Sequence, residues 1–182
     1  MDEGILLLRI LIAVTLFAHA SQKSFGWFGG LGLEQMSASF ANLGLRPGRV
    51  FVIAASIAEA AAAVSLLFGF LAPLGAAVAA SAMTVAGITM HLTSSQFWNA
   101  ARGGEYPYFI ALTSLVIAFT GAGAISVDGV ISSIYPLAST VVGGGLVVGL
   151  AAAAVAVIGC VPFVALLRHN RTSSTHLPGK GA

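Results

Sequence analysis

Four ionisable side chains fall within or at the ends of long apolar runs: Arg9 and His19 in the first, Glu59 in the second and His91 in the third. Glu59 is the most demanding of them. Val50 to Leu71 holds no other charged residue and consists largely of Ala, Val, Ile, Leu and Phe. On insertion scales a charge at the centre of a membrane helix costs about 3 kcal/mol, so such a residue faces other helices and has a partner or a task. Counting depth at about 1.5 Å per residue brings Glu59 near the midplane, within reach of a long Arg9 side chain, and predicts an Arg9–Glu59 ion pair. The same count puts His19 and His91 close to one surface, where Glu105 also arrives at the start of the fourth run. Thr15, His19, Gln22 and Lys23 share one helix face by i, i+4, i+7 and i+8 spacing. His19, Gln22, Lys23, His91 and Glu105 therefore form a candidate polar site, suited to exchanging protons or binding a polar head group. As metal ligands the two His and one Glu come from separate helices with no spacing motif, and no metal is expected. Two histidines at matched depth also suit haem, as in membrane cytochromes, but this is the weaker reading.

These residues need elements to hold them, and the composition says which. The chain of 182 residues is 58% hydrophobic and only 8% charged, with a mean hydropathy of +0.97. That profile belongs to an integral membrane protein and leaves no polar outer faces for a soluble bundle. Runs long enough to span a bilayer are Gly4 to Ser21, Val50 to Leu71, Leu74 to Leu92, Tyr106 to Ala124 and Leu137 to Leu167. The fold class expected is an all-α membrane helical bundle of five transmembrane helices. Small residues at Ala55, Ser56, Ala62 and Ala63 let a partner helix approach the Glu59 carboxylate.

Between the first two runs, residues 22–49 read as an interfacial segment. Trp27 is one of its belt aromatics, matched by Trp98 near the third run. Within it Leu33, Met36, Phe40 and Leu43 recur at helical spacing, predicting a short amphipathic helix on the membrane surface or capping the bundle. Its glycines lack the G-x-G-x-x-G spacing and follow no strand, which excludes a dinucleotide loop. In the fifth run Gly145 and Gly149 form a GxxxG pair on which another helix can pack. From Arg168 the tail is polar, and 168–182 reads as disordered.

The charge pattern reports topology. The basic residues are few and scattered, which argues against a nucleic-acid partner despite a pI near 9.0. Lys23, Arg46, Arg49, Arg102, Arg168, Arg171 and Lys180 all fall on one side of a five-span arrangement. That places the amino terminus outside and the carboxyl terminus in the cytoplasm, as in a multi-pass bacterial inner-membrane protein. Ala18-His19-Ala20 has the form of a signal-peptidase site, but Asp2 and Glu3 lead the chain instead of basic residues and Arg9 precedes the apolar stretch, so the first run is read as a retained helix. Cys160 is the single cysteine, which excludes an internal disulfide or a CxxC pair.

Several blocks in order give the chain a resemblance to the DoxX family of small membrane proteins, from about Leu7 to Asp128. His19-Ala20-Ser21-Gln22-Lys23 followed by Phe25-Gly26 is similar to the family's H-G-x-Q-K opening, and Ala58-Glu59 to its acidic second-helix motif. His91 with Phe97-Trp98, Glu105-Tyr106-Pro107 and Gly121-x-Gly123-x-x-Ser126-x-Asp128 continue the pattern. The chain departs from it at Ala20, Ala61-Ala62, Ala122 and Ala124-Ile125. The resemblance implies a four-helix core over residues 1–129, with 130–167 supplying an additional transmembrane helix. It also implies a membrane subunit of a redox or thiol and oxidative-stress system, some relatives being subunits of a thiosulfate:quinone oxidoreductase. Expected partners are the lipid bilayer, cytoplasmic redox enzymes and a second copy in a homo-oligomer. A quinone is the cofactor that His and Glu beside an apolar slot would suit. The alternative is a small transporter or lipid-binding bundle in which Arg9 and Glu59 form a proton- or substrate-sensitive pair.

Overall fold

A computed structural model describes residues 2–175, and among these no strand occurs. Five long helices make the bundle: α1 (Asp2–Ser24), α3 (Gly48–Phe68), α4 (Ala72–Ser94), α5 (Glu105–Thr120) and α8 (Leu146–Thr175). Shorter pieces lie at the two ends. α2 (Gly32–Asn42) follows a 3₁₀ turn at Trp27–Gly29, while α6 (Val127–Ile134) and α7 (Ser139–Val142) link α5 to α8. α1, α3, α4 and α8 are long and apolar enough to cross a membrane; α5, at 16 residues, is shorter and also apolar.

The surface is turned inside out relative to a soluble protein. Ile57, Phe109, Leu112 and Ile158 are each more than three-fifths exposed, while Arg9, Glu59 and Asp128 are 2% exposed or less. Burying the charges and exposing the apolar side chains is stable only where hydrocarbon is the solvent. The chain is therefore an all-helical membrane bundle.

Packing relies on small residues because lipid provides no hydrophobic drive between helices. α4 is the central helix. It buries Ala72, Ala76, Ala77, Ala79 and Ala80, and it packs against α3, α5 and α8. Met83 of α4, Leu16 of α1, Leu66 of α3 and Ile117 of α5 fill the remaining core. α1 stacks on α3, with Ile12, Ala13 and Leu16 facing Ala62, Ala63 and Leu66. Gly149 of α8 lies under the ring of Phe119, where a Cβ would come within 2.2 Å of the ring. The small-residue face expected on the last run is thus used within the chain, against α5.

Three boundaries differ from the sequence reading. The fifth apolar run does not begin its helix at Leu137, because Gly144 and Gly145 take φ of +81° and +105° and break the chain before Leu146. The border at 129/130 falls inside α6, and α8 packs on α4 and α5 as part of the bundle. At the other end α8 continues through Thr175, so residues 168–175 are helical where a disordered tail was expected, and 176–182 lie outside the described residues. α2 confirms the amphipathic helix predicted around Leu33 to Leu43. It packs on the start of α3, with Gly48 close against Ser37 and Ala41.

Candidate functional site

Two polar clusters occupy opposite halves of the bundle. In the half nearer α2, the Lys23 Nζ donates to both carboxylate oxygens of Glu59, at 2.7 and 2.6 Å. Lys23 is partly buried and Glu59 is 2% exposed. The partner of Glu59 is thus Lys23, and the Arg9–Glu59 ion pair expected from depth counting does not form. The reason is the tilt of the Cα–Cβ bond toward the helix N-terminus. α1 and α3 pack side by side in opposite directions, so Lys23 points back along α1 while Glu59 points toward the start of α3. The two side chains converge from helix positions that lie more than a turn apart. The same amine also reaches the His19 carbonyl at 3.4 Å, one turn back on its own helix.

His19 is half-buried beside this pair, its ring 5.9 Å from that of Tyr106 on α5. Ser56, one turn before Glu59 on the same helix, is buried, and its hydroxyl has no hydrogen-bond partner among the described residues. Together these residues bring a cation, an anion, an imidazole, a phenol and an unpaired hydroxyl to the α1–α3–α5 region. Tyr106 and Ser56 were missed as site residues by sequence reasoning. For Ser56 the available signal was its position three residues before Glu59.

Of the other three predicted site residues, Gln22 stays with the cluster, its side chain in hydrogen-bonding contact with His19, while Glu105 and His91 do not join it. Gln22 donates its side-chain amide to the Phe28 carbonyl at 3.3 Å and holds the loop after α1. Gly30 lies against Gln22 so tightly that a Cβ would meet its backbone at 2.4 Å. Glu105 accepts from the Asn99 amide at 2.9 Å while its own amide donates to the Phe97 carbonyl, so it braces the loop between α4 and α5. His91 is exposed near the end of α4. Among the described residues, no three His, Cys, Asp or Glu side chains group as metal ligands.

The second cluster surrounds Arg9 at the far end. Arg9 is 1% exposed, and its guanidinium donates to the carbonyls of Leu66, Leu67, Ala122 and Ile125. Leu66 and Leu67 lie in the last turn of α3, where the negative end of the helix dipole and the spare lone pairs of the terminal carbonyls favour a cation. Asp128 complements it from the other side. Its carboxylate accepts the Leu71 and Ala72 amides at 2.8 Å each, capping α4, and it interacts electrostatically with Arg9. Leu71 needs this support because its φ of +49° is a left-handed conformation that a branched side chain disfavours. Gly69, with φ of +61°, admits the guanidinium, since a Cβ there would lie 2.8 Å from it. The Gly121-to-Asp128 block is therefore a clasp around Arg9 and the α3–α4 turn.

The arrangement, a buried acid on α3 paired with the basic end of α1, lies in a segment that a family model matches. Residues 4–92 match the DoxX family model. The DoxX segment covers α1 to α4 and so holds His19, Lys23, Ser56, Glu59 and His91, whereas Tyr106 and the clasp lie beyond it. No curated protein and no solved structure matches the chain.

Proposed function

We propose that this protein is the membrane subunit of a redox or thiol-stress system in the bacterial inner membrane, quinone-linked and served by cytoplasmic enzymes. The observation that carries the proposal is the buried Lys23–Glu59 pair inside the DoxX segment, with His19 and Tyr106 beside it. Reduction of a quinone takes two electrons and two protons. The imidazole of His19 and the phenol of Tyr106 are proton donors of the right kind, and Lys23–Glu59 supplies a fixed local field. Ser56 adds a buried hydroxyl free to bond a carbonyl-bearing ligand. In this reading the electrons come from the cytoplasmic partner, and Arg9 serves the fold at the opposite end. The cationic ends of the helices would face the cytoplasm and the amino terminus would lie outside.

A strain lacking the gene, complemented with wild type, Glu59→Gln or His19→Ala, tests the assignment. Membrane vesicles from the wild-type strain should reduce quinone when given a thiol or thiosulfate donor, and both variants should lose that activity at normal membrane abundance. If Glu59→Gln instead abolishes uptake of a solute or a lipid phenotype while stress resistance and quinone reduction persist, the redox reading is wrong and the transporter or lipid-binding reading replaces it.

A further inference from the structure

α3 and α8 both pack on α4 but leave a trough between them on the bilayer side. Ala54, Ala55 and Ala58 form one wall, Val155, Gly159 and Phe163 the other, and α4 the floor from Ala77 to Val85. Next to this cavity, of about 230 Å³, lies a second of about 160 Å³ that shares Ala77 and Val155 with it and reaches Pro73 and Val142. From Pro73 to Val85 the floor extends about 18 Å at 1.5 Å per residue. That is close to the depth of one leaflet, half of a hydrocarbon core of roughly 30 Å. Cavities of these small volumes set along that length fit a single extended hydrocarbon chain and are too small for a helix about 10 Å across.

Charge distinguishes the two ends. At the end near Pro73 the rim is apolar. At the other end Phe40, Leu45, Phe51 and Phe163 close the trough, and the chain leaving Leu45 carries exposed Arg46 and Arg49, with Arg168 at the same end of α8. Asn170 ties α8 to this loop by donating to the Gly44 carbonyl at 2.7 Å. Of the acids of this end, Glu59 is engaged with Lys23 and Glu105 with the Asn99 amide, and Glu34 lies in the first turn of α2.

We propose that this trough binds one anionic phospholipid, its phosphate near Arg46 and Arg49 and one acyl chain lying along α4 between α3 and α8. The site is separate from the His19–Glu59 region and does not rest on the redox reading. Phosphatidylglycerol carrying a photoreactive acyl chain, added to the full-length protein in mild detergent, should label peptides containing 51–58 or 155–163. Unlabelled phosphatidylglycerol should compete about thirtyfold better than phosphatidylcholine, as two surface arginines would give. Arg46→Gln with Arg49→Gln should erase that preference while labelling persists, and Ala58→Phe, which fills the trough, should abolish labelling of both segments. Equal competition by the two lipids in the wild type, or labelling confined to other segments, overturns the proposal without recourse to any variant. Undiminished labelling in Ala58→Phe would do the same, as would a wild-type dimer that this variant dissociates, which would assign the trough to a second copy.

Discussion

At the scale of single residues, the Lys23–Glu59 pair makes a definite thermodynamic demand. Removing one member of a buried pair strands the other, at a cost of about 3 kcal/mol, whereas replacing both with apolar side chains of similar size is close to neutral. Lys23→Met should therefore lower the thermal stability of the detergent-purified protein markedly, and Lys23→Met with Glu59→Met should recover most of the loss. Equal losses in the single and double variants would show that the carboxylate is not held by the amine. The sequence made the need for a partner legible, because no other charge lies near Glu59 in its run. It did not reveal which partner, since counting rise along helix axes ignores the direction in which each side chain leaves its helix. His91 and Glu105 illustrate the same limit. Their shared level at the bundle end was readable, but the loop hydrogen bonds that occupy Glu105 depend on how residues 97–105 turn.

At the scale of elements, the helices were largely legible from apolar run length, and the breaks were less so. Gly143 to Gly145 sit inside one long apolar stretch, and only the positive φ angles of Gly144 and Gly145 divide it into a cap and a helix. The clasp is the element whose sequence said least about its role. Ser126 caps α6 by accepting the Gly129 amide, as its type and position suggest, while Asp128 caps α4, a helix more than fifty residues earlier. Asp128→Ala should cost about 2 kcal/mol, a figure set by two lost cap bonds, and Asp128→Asn less. Hydrogen exchange read by mass spectrometry should show the loss concentrated in the peptide spanning Gly69 to Ala76. Between α5 and α8, Gly149→Leu would drive a side chain into the Phe119 ring. It should lower the melting temperature by more than Gly145→Ala, whose Cβ meets nothing within 4 Å, even though Gly145 carries the positive φ.

At the scale of the whole molecule, orientation in the membrane is the property to measure. In a Cys160→Ala background, Ser133→Cys on α6 and Glu34→Cys on α2 place exposed thiols at opposite ends of the bundle. A membrane-impermeant maleimide should label Ser133→Cys in intact cells and Glu34→Cys only after lysis; the reverse pattern would invert the topology. The clasp also sets an order of events. The α3–α4 hairpin is made early, yet the amides that open α4 and the carbonyls that close α3 are satisfied by Asp128 and Arg9, and Asp128 emerges only after α5. A nascent chain truncated before residue 121 would hold the hairpin with its turn unlatched and Leu71 unsupported. The α3–α4 turn is thus latched by a residue synthesised after four of the five long helices, and a premature stop within the clasp would leave those four helices without α8 and with Arg9 lacking its lock.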